Sequence, residues 1–448
     1  MATLQANHLG QHPTIHHTTA ELSCDMSRVA TIILGGGQGS RLYPLTRSDC
    51  KPAVTFGGKY RLIDVPMSNS IHSGCHKIFI VTQFLSKTLH DHIFKTYRPG
   101  TFTAGFVEVL SVEEKPHTKA WFQGTADAIR QNLEYLTDVP IDYFLILSGD
   151  QLYQMDYKKM MQVAQRTNAD VVIATLPIEE SQANRFGILK IDPNERITEF
   201  VEKPTDMEQV KAFKVSENTL KKFQLKNNKE GACLGSMGIY LFKRKALLKL
   251  LLTDMREDFG KHLIPNIIKN GNAAAYLYDG YWEDIGTIES YYHANLALTE
   301  DKPEFNWYDE KHLLVTNSLN LPAAKIYNTK VQQSIICEGS VIEAKEVFHS
   351  ILGPRTQVGT GTVIKDCYIL GNDHYHSPMQ DNQTAKNYQI GQNCLIERAI
   401  IDKHACIGNN VCLNNADKLT HYNSNEIFIR DGIIIVPRGA CIPDGFTL

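Results

Sequence analysis

Thr31-Ile32-Ile33-Leu34-Gly35-Gly36-Gly37-Gln38-Gly39-Ser40-Arg41-Leu42 is the stretch on which the fold turns: a β-prone apolar run passes directly into glycines and then a cation. A short apolar run ended by glycine reads as a buried strand. Glycines placed there let backbone N–H groups close on a polyphosphate where side chains would clash, and the Arg41 guanidinium can fork onto phosphate oxygens. The loop lacks the Gly-Lys-Ser/Thr ending of a P-loop and does not fit G-x-G-x-x-G, so neither an ATPase nor a dinucleotide site is supported. Taken alone it is either a phosphate cradle or a structural turn.

Outward from this strand the same grammar repeats. Ile78-Phe79-Ile80-Val81, Tyr143-Phe144-Leu145-Ile146-Leu147 and Val171-Val172-Ile173-Ala174 read as further buried strands, and 126–136 and 156–166 as crossover helices. Over residues 29–300 this predicts an α/β domain with a doubly wound, mostly parallel sheet. Ligands of such sheets bind beyond the carboxyl ends of the strands. Lys51, in Asp49-Cys50-Lys51-Pro52, is extended by the following proline and can return to the glycine loop to neutralise a leaving pyrophosphate. Asp150 ends Ser148-Gly149-Asp150 directly after a strand, where a carboxylate either shares a hard cation with phosphate oxygens or caps a helix. Tyr281-Trp282-Glu283-Asp284 supplies a second acidic candidate, and Glu202-Lys203-Pro204 and Ser236-Met237-Gly238-Ile239-Tyr240 stand between the two.

Residues 301–325 form a polar, Asn- and Pro-containing connector, and a new period follows over 326–448. Leu352, Val358, Ile364 and Leu370 recur every six residues, as do Leu395, Ile401, Ile407 and Leu413; Ile336, Ile342 and Phe348 form a weaker run. A six-residue step fits neither helix nor flat strand but suits a parallel β-helix, which points one aliphatic inward at each repeat.

The 448 residues exceed what one core usually organises, and 43% hydrophobic with 21% charged residues is ordinary for a folded chain. A net charge of -3 gives no broad positive field, so generic nucleic-acid binding is not expected. No run is long enough to span a membrane. Residues 1–28 are expected to be a frayed tail, with His8, His12, His16 and His17 solvated rather than metal-bound, and neither a signal nor a transit peptide is read there. Ten scattered cysteines without a C-x-x-C pair point to reduced thiols and a cytoplasmic protein.

With these motifs in place the sequence resembles the bacterial and plant glucose-1-phosphate adenylyltransferases from about residue 29 to its end, most specifically in Trp121-Phe122-Gln123-Gly124-Thr125-Ala126-Asp127-Ala128. The resemblance implies a nucleotidyltransferase sheet followed by a left-handed parallel β-helix, and conversion of ATP and glucose 1-phosphate with Mg²⁺ to ADP-glucose and pyrophosphate for glycogen or starch synthesis. It implies that Leu34, Gly35, Gly36, Gly37, Gly39, Ser40 and Arg41 hold ATP phosphates with Lys51, while Gln83, Gln123, Gly124 and Thr125 meet the adenine. It assigns Gly187, Glu202, Lys203, Ser236, Tyr240, Trp282 and Asp284 to glucose 1-phosphate. Catalysis would rest on Arg41, Lys51 and Asp150, and the metal on Asp150 and Asp284.

The resemblance also implies a homotetramer controlled by anionic metabolites, with Lys403 and Arg438 as allosteric candidates. The sequence departs from the family at Ser48-Asp49, where basic residues are usual and help bind anionic effectors, and at Gln151, where histidine is general. Activation at the first position is therefore expected to be weak. The same residues leave open a pyrophosphorylase for another nucleotide, a non-catalytic regulatory subunit, and an acyl-transferring β-helix using His404. The retained Arg41, Lys51, Asp150, Lys203 and Asp284 argue for an active nucleotidyltransferase.

Overall fold

The computed structural model describes residues 24–37, 39–98, 105–112, 121–215, 232–375 and 389–448. The four tail histidines and Gln38 of the glycine loop lie outside this set. The expected tail ends earlier than residue 28: Met26–Arg28 forms a 3-10 turn capped by the Asp25 side chain, and Met26 is buried. Arg28 donates to Asp142 through Nη2 at 2.8 Å, which ties this turn to the sheet.

The amino-terminal sheet grows from β1 (Val29–Leu34), which pairs in parallel with β2 (Lys77–Thr82) on one side and β4 (Tyr143–Ser148) on the other; β3 (Phe106–Ser111) extends it in parallel beyond β2. Successive residues of β1 feed opposite faces. Val29 and Ile33 enter one apolar cluster and Ala30 and Ile32 another, the period-two signature of a strand covered on both sides. This half is parallel as expected. Beyond β4 the pairing turns antiparallel, because the long strand β5 (Cys233–Lys243) runs against both β4 and the strand Val171–Ile178.

β5 carries a register break between Ser236 and Tyr240, where Gly238 adopts φ +71°. That left-handed angle is what glycine permits at little cost, and the bulge re-aims the side chains around it.

Residues 325–369 and 395–413 wind into parallel coils, with Lys330 opposite Glu346 and Glu346 opposite Val363 in neighbouring turns, and the antiparallel strands His421–Asn423, Phe428–Arg430 and Ile433–Val436 follow. Ile342, Val358, Ile407 and Ile442 stack in one inward column and Leu352, Ile369, Ile401 and Val436 in another. Three hexad positions read from the sequence are one residue out. Val347, Ile369 and Ile396 point inward where Phe348, Leu370 and Leu395 were expected. At that corner the inward step is five residues, and His349 (φ 44°), Asp366 (φ 50°) and Arg398 (φ 48°) turn the chain in the left-handed region.

The β-helix is joined to the amino-terminal domain by specific contacts. Tyr291 and Tyr292 lie on the helix Ile288–Leu296; the Tyr291 ring packs on Tyr368 with centroids 5.7 Å apart, and Tyr292 donates to Asp366 O at 2.6 Å. Tyr368 accepts from Gly58 N at 3.2 Å. Tyr43, just beyond the glycine loop, meets Phe428 edge-on with centroids 5.5 Å apart. The connector is held as well: Leu313 O accepts from His72 at 2.7 Å, and Val315 N donates to Ser68 Oγ at 2.8 Å.

Candidate active site

Beyond the carboxyl ends of β1 and β4 lies a cleft of about 940 Å³, a size that takes a sugar nucleotide. Its floor is built by main-chain closure of the two strand ends. Gly35 N donates to Val81 O at 2.8 Å and Gly149 N to Leu34 O at 3.1 Å, so the glycine turn and the Gly149-Asp150 turn sit side by side. Gly39 adopts φ +63° and starts the 3-10 turn Ser40–Leu42. A Cβ there would lie 2.9 Å from Thr46 Cγ2 and 3.1 Å from Lys51 Cβ, so the bare backbone lets Lys51 fold back onto the loop. Leu34, Gly36, Gly37, Arg41 and Lys51 line the cleft, whereas Gly35, Gly39 and Ser40 shape it from behind.

The charged centre is compact. Lys51 Nζ lies 2.6 Å from Asp150 Oδ2 and 3.6 Å from Asp284 Oδ1, with Lys51 only 8% exposed. Ser148 Oγ donates to the other Asp150 oxygen. Asp284 arrives on the short strand β7 (Trp282–Asp284), which pairs antiparallel with β6 (Gln151–Tyr153) so that Asp284 faces Gln151. Arg41 passes the same spot: a Cβ on Gly286 would meet its guanidinium at 3.4 Å and Asp284 Oδ2 at 3.3 Å. Two carboxylates already share one ammonium here, and such a pair completed by phosphate oxygens is the ligand set a hard divalent cation takes. Among the described residues no cluster of three or more His, Cys, Asp or Glu side chains forms a closed metal site.

One end of the cleft is aromatic and amide-rich. Phe84 and Trp121 stack with centroids 4.8 Å apart and planes at 6°. Gln83 Nε2 is 3.5 Å from Phe122 O, and Gln83 Oε1 is buried without a partner. Gly124 sits against the Glu257 carbonyl, which a Cβ would approach to 2.4 Å; Thr125 Oγ1 accepts from Phe259 N at 3.1 Å. This packing fixes the turn that presents Gln123.

The other end gathers Gly187, Glu202, Lys203, Ser236, Tyr240 and Trp282. Glu202 lies so close to Gly187 and Gly260 that a Cβ on either would come within 2.6 and 2.9 Å of Oε2. Burial pushes the Glu202 carboxyl above its ordinary value and Lys203, 3.7 Å away, works against that shift. Lys203 itself has φ +46°, its N–H donates to Phe186 O at 2.9 Å, and its side chain is 58% exposed. The residue is thus fixed at its backbone, while its ammonium stands beside Glu202 and stays open to the cleft.

Sequence reasoning missed Phe84, Arg185, Asp258 and Gly260, which also line the cleft. Asp258 accepts from Lys261 N and reads locally as a helix cap, and Arg185 ends an exposed 3-10 turn, so neither carries a motif. Only the Trp121 stretch signalled the aromatic end.

Lys403 and Arg438 lie elsewhere, at the domain junction. Asp373 takes Lys403 Nζ at 2.8 Å, His404 Nε2 at 3.0 Å and Arg438 Nη2 at 3.0 Å, while Arg438 Nη1 is 3.5 Å from Asp49.

Residues 30–301 match the nucleotidyl transferase family, and residues 320–447 match the GLGC left-handed parallel β-helix domain.

Proposed function

The chain belongs to the nucleotidyl transferase family, with the two-domain architecture of the glucose-1-phosphate adenylyltransferases, and from that premise we propose that it joins ATP to glucose 1-phosphate, releasing pyrophosphate and forming ADP-glucose for glycogen or starch synthesis. The observation that carries this reading is the Lys51–Asp150–Asp284 centre, set between an amide-rich end and an end bearing Glu202 and Lys203.

An oxygen of the sugar phosphate attacks the α-phosphorus of ATP, a P–O bond forms, and the bond to the β-phosphate bridging oxygen breaks. A phosphate dianion is already nucleophilic, so the protein needs no general base and its task is positioning and charge neutralisation. Arg41 and Lys51 face the charge that develops on pyrophosphate. Lys203 holds the phosphate of the sugar substrate, Glu202 and Ser236 accept or donate to its hydroxyls, and Trp282 and Tyr240 wall it in. Gln83, with its unpaired buried oxygen, offers an acceptor to the adenine amino group, and Phe84 and Trp121 offer a stacking surface. Nucleotidyl transferase domains generally use divalent metal ions. Asp150 and Asp284 would hold Mg²⁺, which when bound supplies charge neutralisation across the phosphates.

Anionic effectors are expected to act weakly, because Lys403 and Arg438 already hold the carboxylates of Asp373 and Asp49. The assembly we expect is a homotetramer. The test of the reaction is pyrophosphate release with glucose 1-phosphate and Mg²⁺ across ATP, UTP, GTP and dTTP. Preference for ATP supports the assignment, whereas preference for another nucleotide assigns the same architecture to a different pyrophosphorylase.

A further inference from the structure

Gln151 follows Asp150 directly, faces Asp284 across the β6–β7 ladder, and is only 7% exposed. Its carboxamide is used at both ends. Nε2 donates to Met237 O at 2.9 Å, and Oε1 accepts from the Trp282 indole Nε1 at 3.3 Å. The amide orientation is forced, because a carbonyl can only accept and an indole N–H can only donate.

Those two partners belong to different walls of the cleft. Met237 lies in the β5 bulge between Ser236 and Tyr240, where Gly238 N donates to Ser236 Oγ at 3.3 Å. Trp282 begins β7 and tilts against Phe186 with centroids 5.4 Å apart. No other side-chain hydrogen bond described here joins the bulge to β7. Without Gln151, a buried carbonyl and a part-buried indole N–H lose partners, and the walls are free to shift against each other.

We propose that Gln151 is a positioning residue for the sugar-phosphate substrate: one carboxamide locks the Ser236–Gly238 bulge and Trp282 into a single arrangement beside Asp150 and Asp284. Gln151 acts through its two partners and not on the reacting phosphates. The inference rests on assigning the Glu202–Lys203 end of the cleft to the sugar phosphate.

The test uses the full chain with Gln151→Leu, Gln151→Glu and Gln151→His, in steady-state kinetics with each substrate varied in turn. Should the parent turn over a different sugar phosphate, that one is used; such a result overturns the substrate assignment and leaves the Gln151 test intact. Gln151→Leu should raise KM for the sugar phosphate by about tenfold, the size of one or two lost bonds to buried groups, with KM for the nucleotide within about twofold. Gln151→Glu keeps the acceptor and loses the donor, so it should show the same split.

Gln151→His separates positioning from bulk packing. An imidazole offers one donor and one acceptor, so Gln151→His assayed at about pH 8 should restore a near-parental KM that Gln151→Leu does not. An unchanged sugar-phosphate KM in Gln151→Leu, an equal rise in both KM values, or a Gln151→His variant no better than Gln151→Leu would each overturn the proposal.

Discussion

Asp150 spends both carboxylate oxygens inside the protein, one on Ser148 and one on Lys51 at 2.6 Å, yet its side chain stays 21% exposed toward the cleft. A charge held this firmly while open to a ligand suits phosphoryl chemistry, where little reorganisation is wanted at the moment of reaction. Asp150→Asn keeps the shape and removes the charge, so kcat should fall about a hundredfold or more, or at least about 2.7 kcal/mol of transition-state stabilisation. Near-parental turnover would take Asp150 out of the mechanism. Lys203 is the opposite case, with a fixed backbone and a largely exposed side chain whose ammonium stands 3.7 Å from Glu202. Lys203→Ala should weaken the sugar phosphate at least about tenfold while leaving the nucleotide KM nearly unchanged. A change confined to the nucleotide would move Lys203 to the other end of the cleft.

At the scale of elements, the most loaded joint is Asp64, fully buried at the start of the helix Asp64–His72. It accepts from Arg61 N at 2.9 Å, His92 Nε2 at 2.6 Å, Tyr97 OH at 2.6 Å and Thr316 Oγ1 at 2.7 Å. One carboxylate thereby joins this helix to the helix Lys87–Thr96, to the residue just after it, and to the interdomain connector. Asp64→Ala strands several buried donors at once and should cost about 3 kcal/mol or more, read as a lower urea midpoint. A loss below about 1 kcal/mol would mean that water or neighbours satisfy those donors. Such joints explain what could be read from the sequence. β1, the glycine turn and Asp150 are local signals within one strand and its end, and the aliphatic hexads are local too. The antiparallel entry of β5, the pairing of Asp284 with Gln151, and the packing of Gly124 on Glu257 join residues far apart in the chain, and no local period encodes them. The hexad frame slipped at Phe348, Leu370 and Leu395 because a single left-handed residue shortens a corner, a backbone choice invisible to a count of aliphatics.

For the whole molecule, the domain junction concentrates charge that neither domain would bury alone. Burial alone would raise Asp373, but hydrogen bonds from His404 and Lys403 and the charges of Lys403 and Arg438 outweigh it and hold its carboxyl far below the usual range. Asp402, 7% exposed and beside Asp49, goes the other way: burial raises it to about 6 despite the Lys403 N–H, Arg438 and Lys403. The unfolded value is about 3.9, so between about pH 4 and 6 the folded chain keeps a proton that the unfolded chain has released. Stability from this group is therefore greatest at low pH and declines as pH rises through about 6. Asp373 has the opposite sign, contributing above its unfolded value and losing that contribution as pH falls, so the parent's own profile mixes the two. Asp402→Asn separates them. The amide oxygen can still accept the Lys403 N–H, made at 2.6 Å in the parent, but carries no charge to bury. The variant should match the parent near pH 4 and exceed it by up to about 3 kcal/mol above pH 6, a value set by two pKa units at about 1.4 kcal/mol each. Denaturation midpoints of both proteins between about pH 4 and 8 measure this. A gap of constant size across that range would show that Asp402 is ionised throughout and that its neighbours, Lys403 and Arg438, already neutralise it in the folded junction.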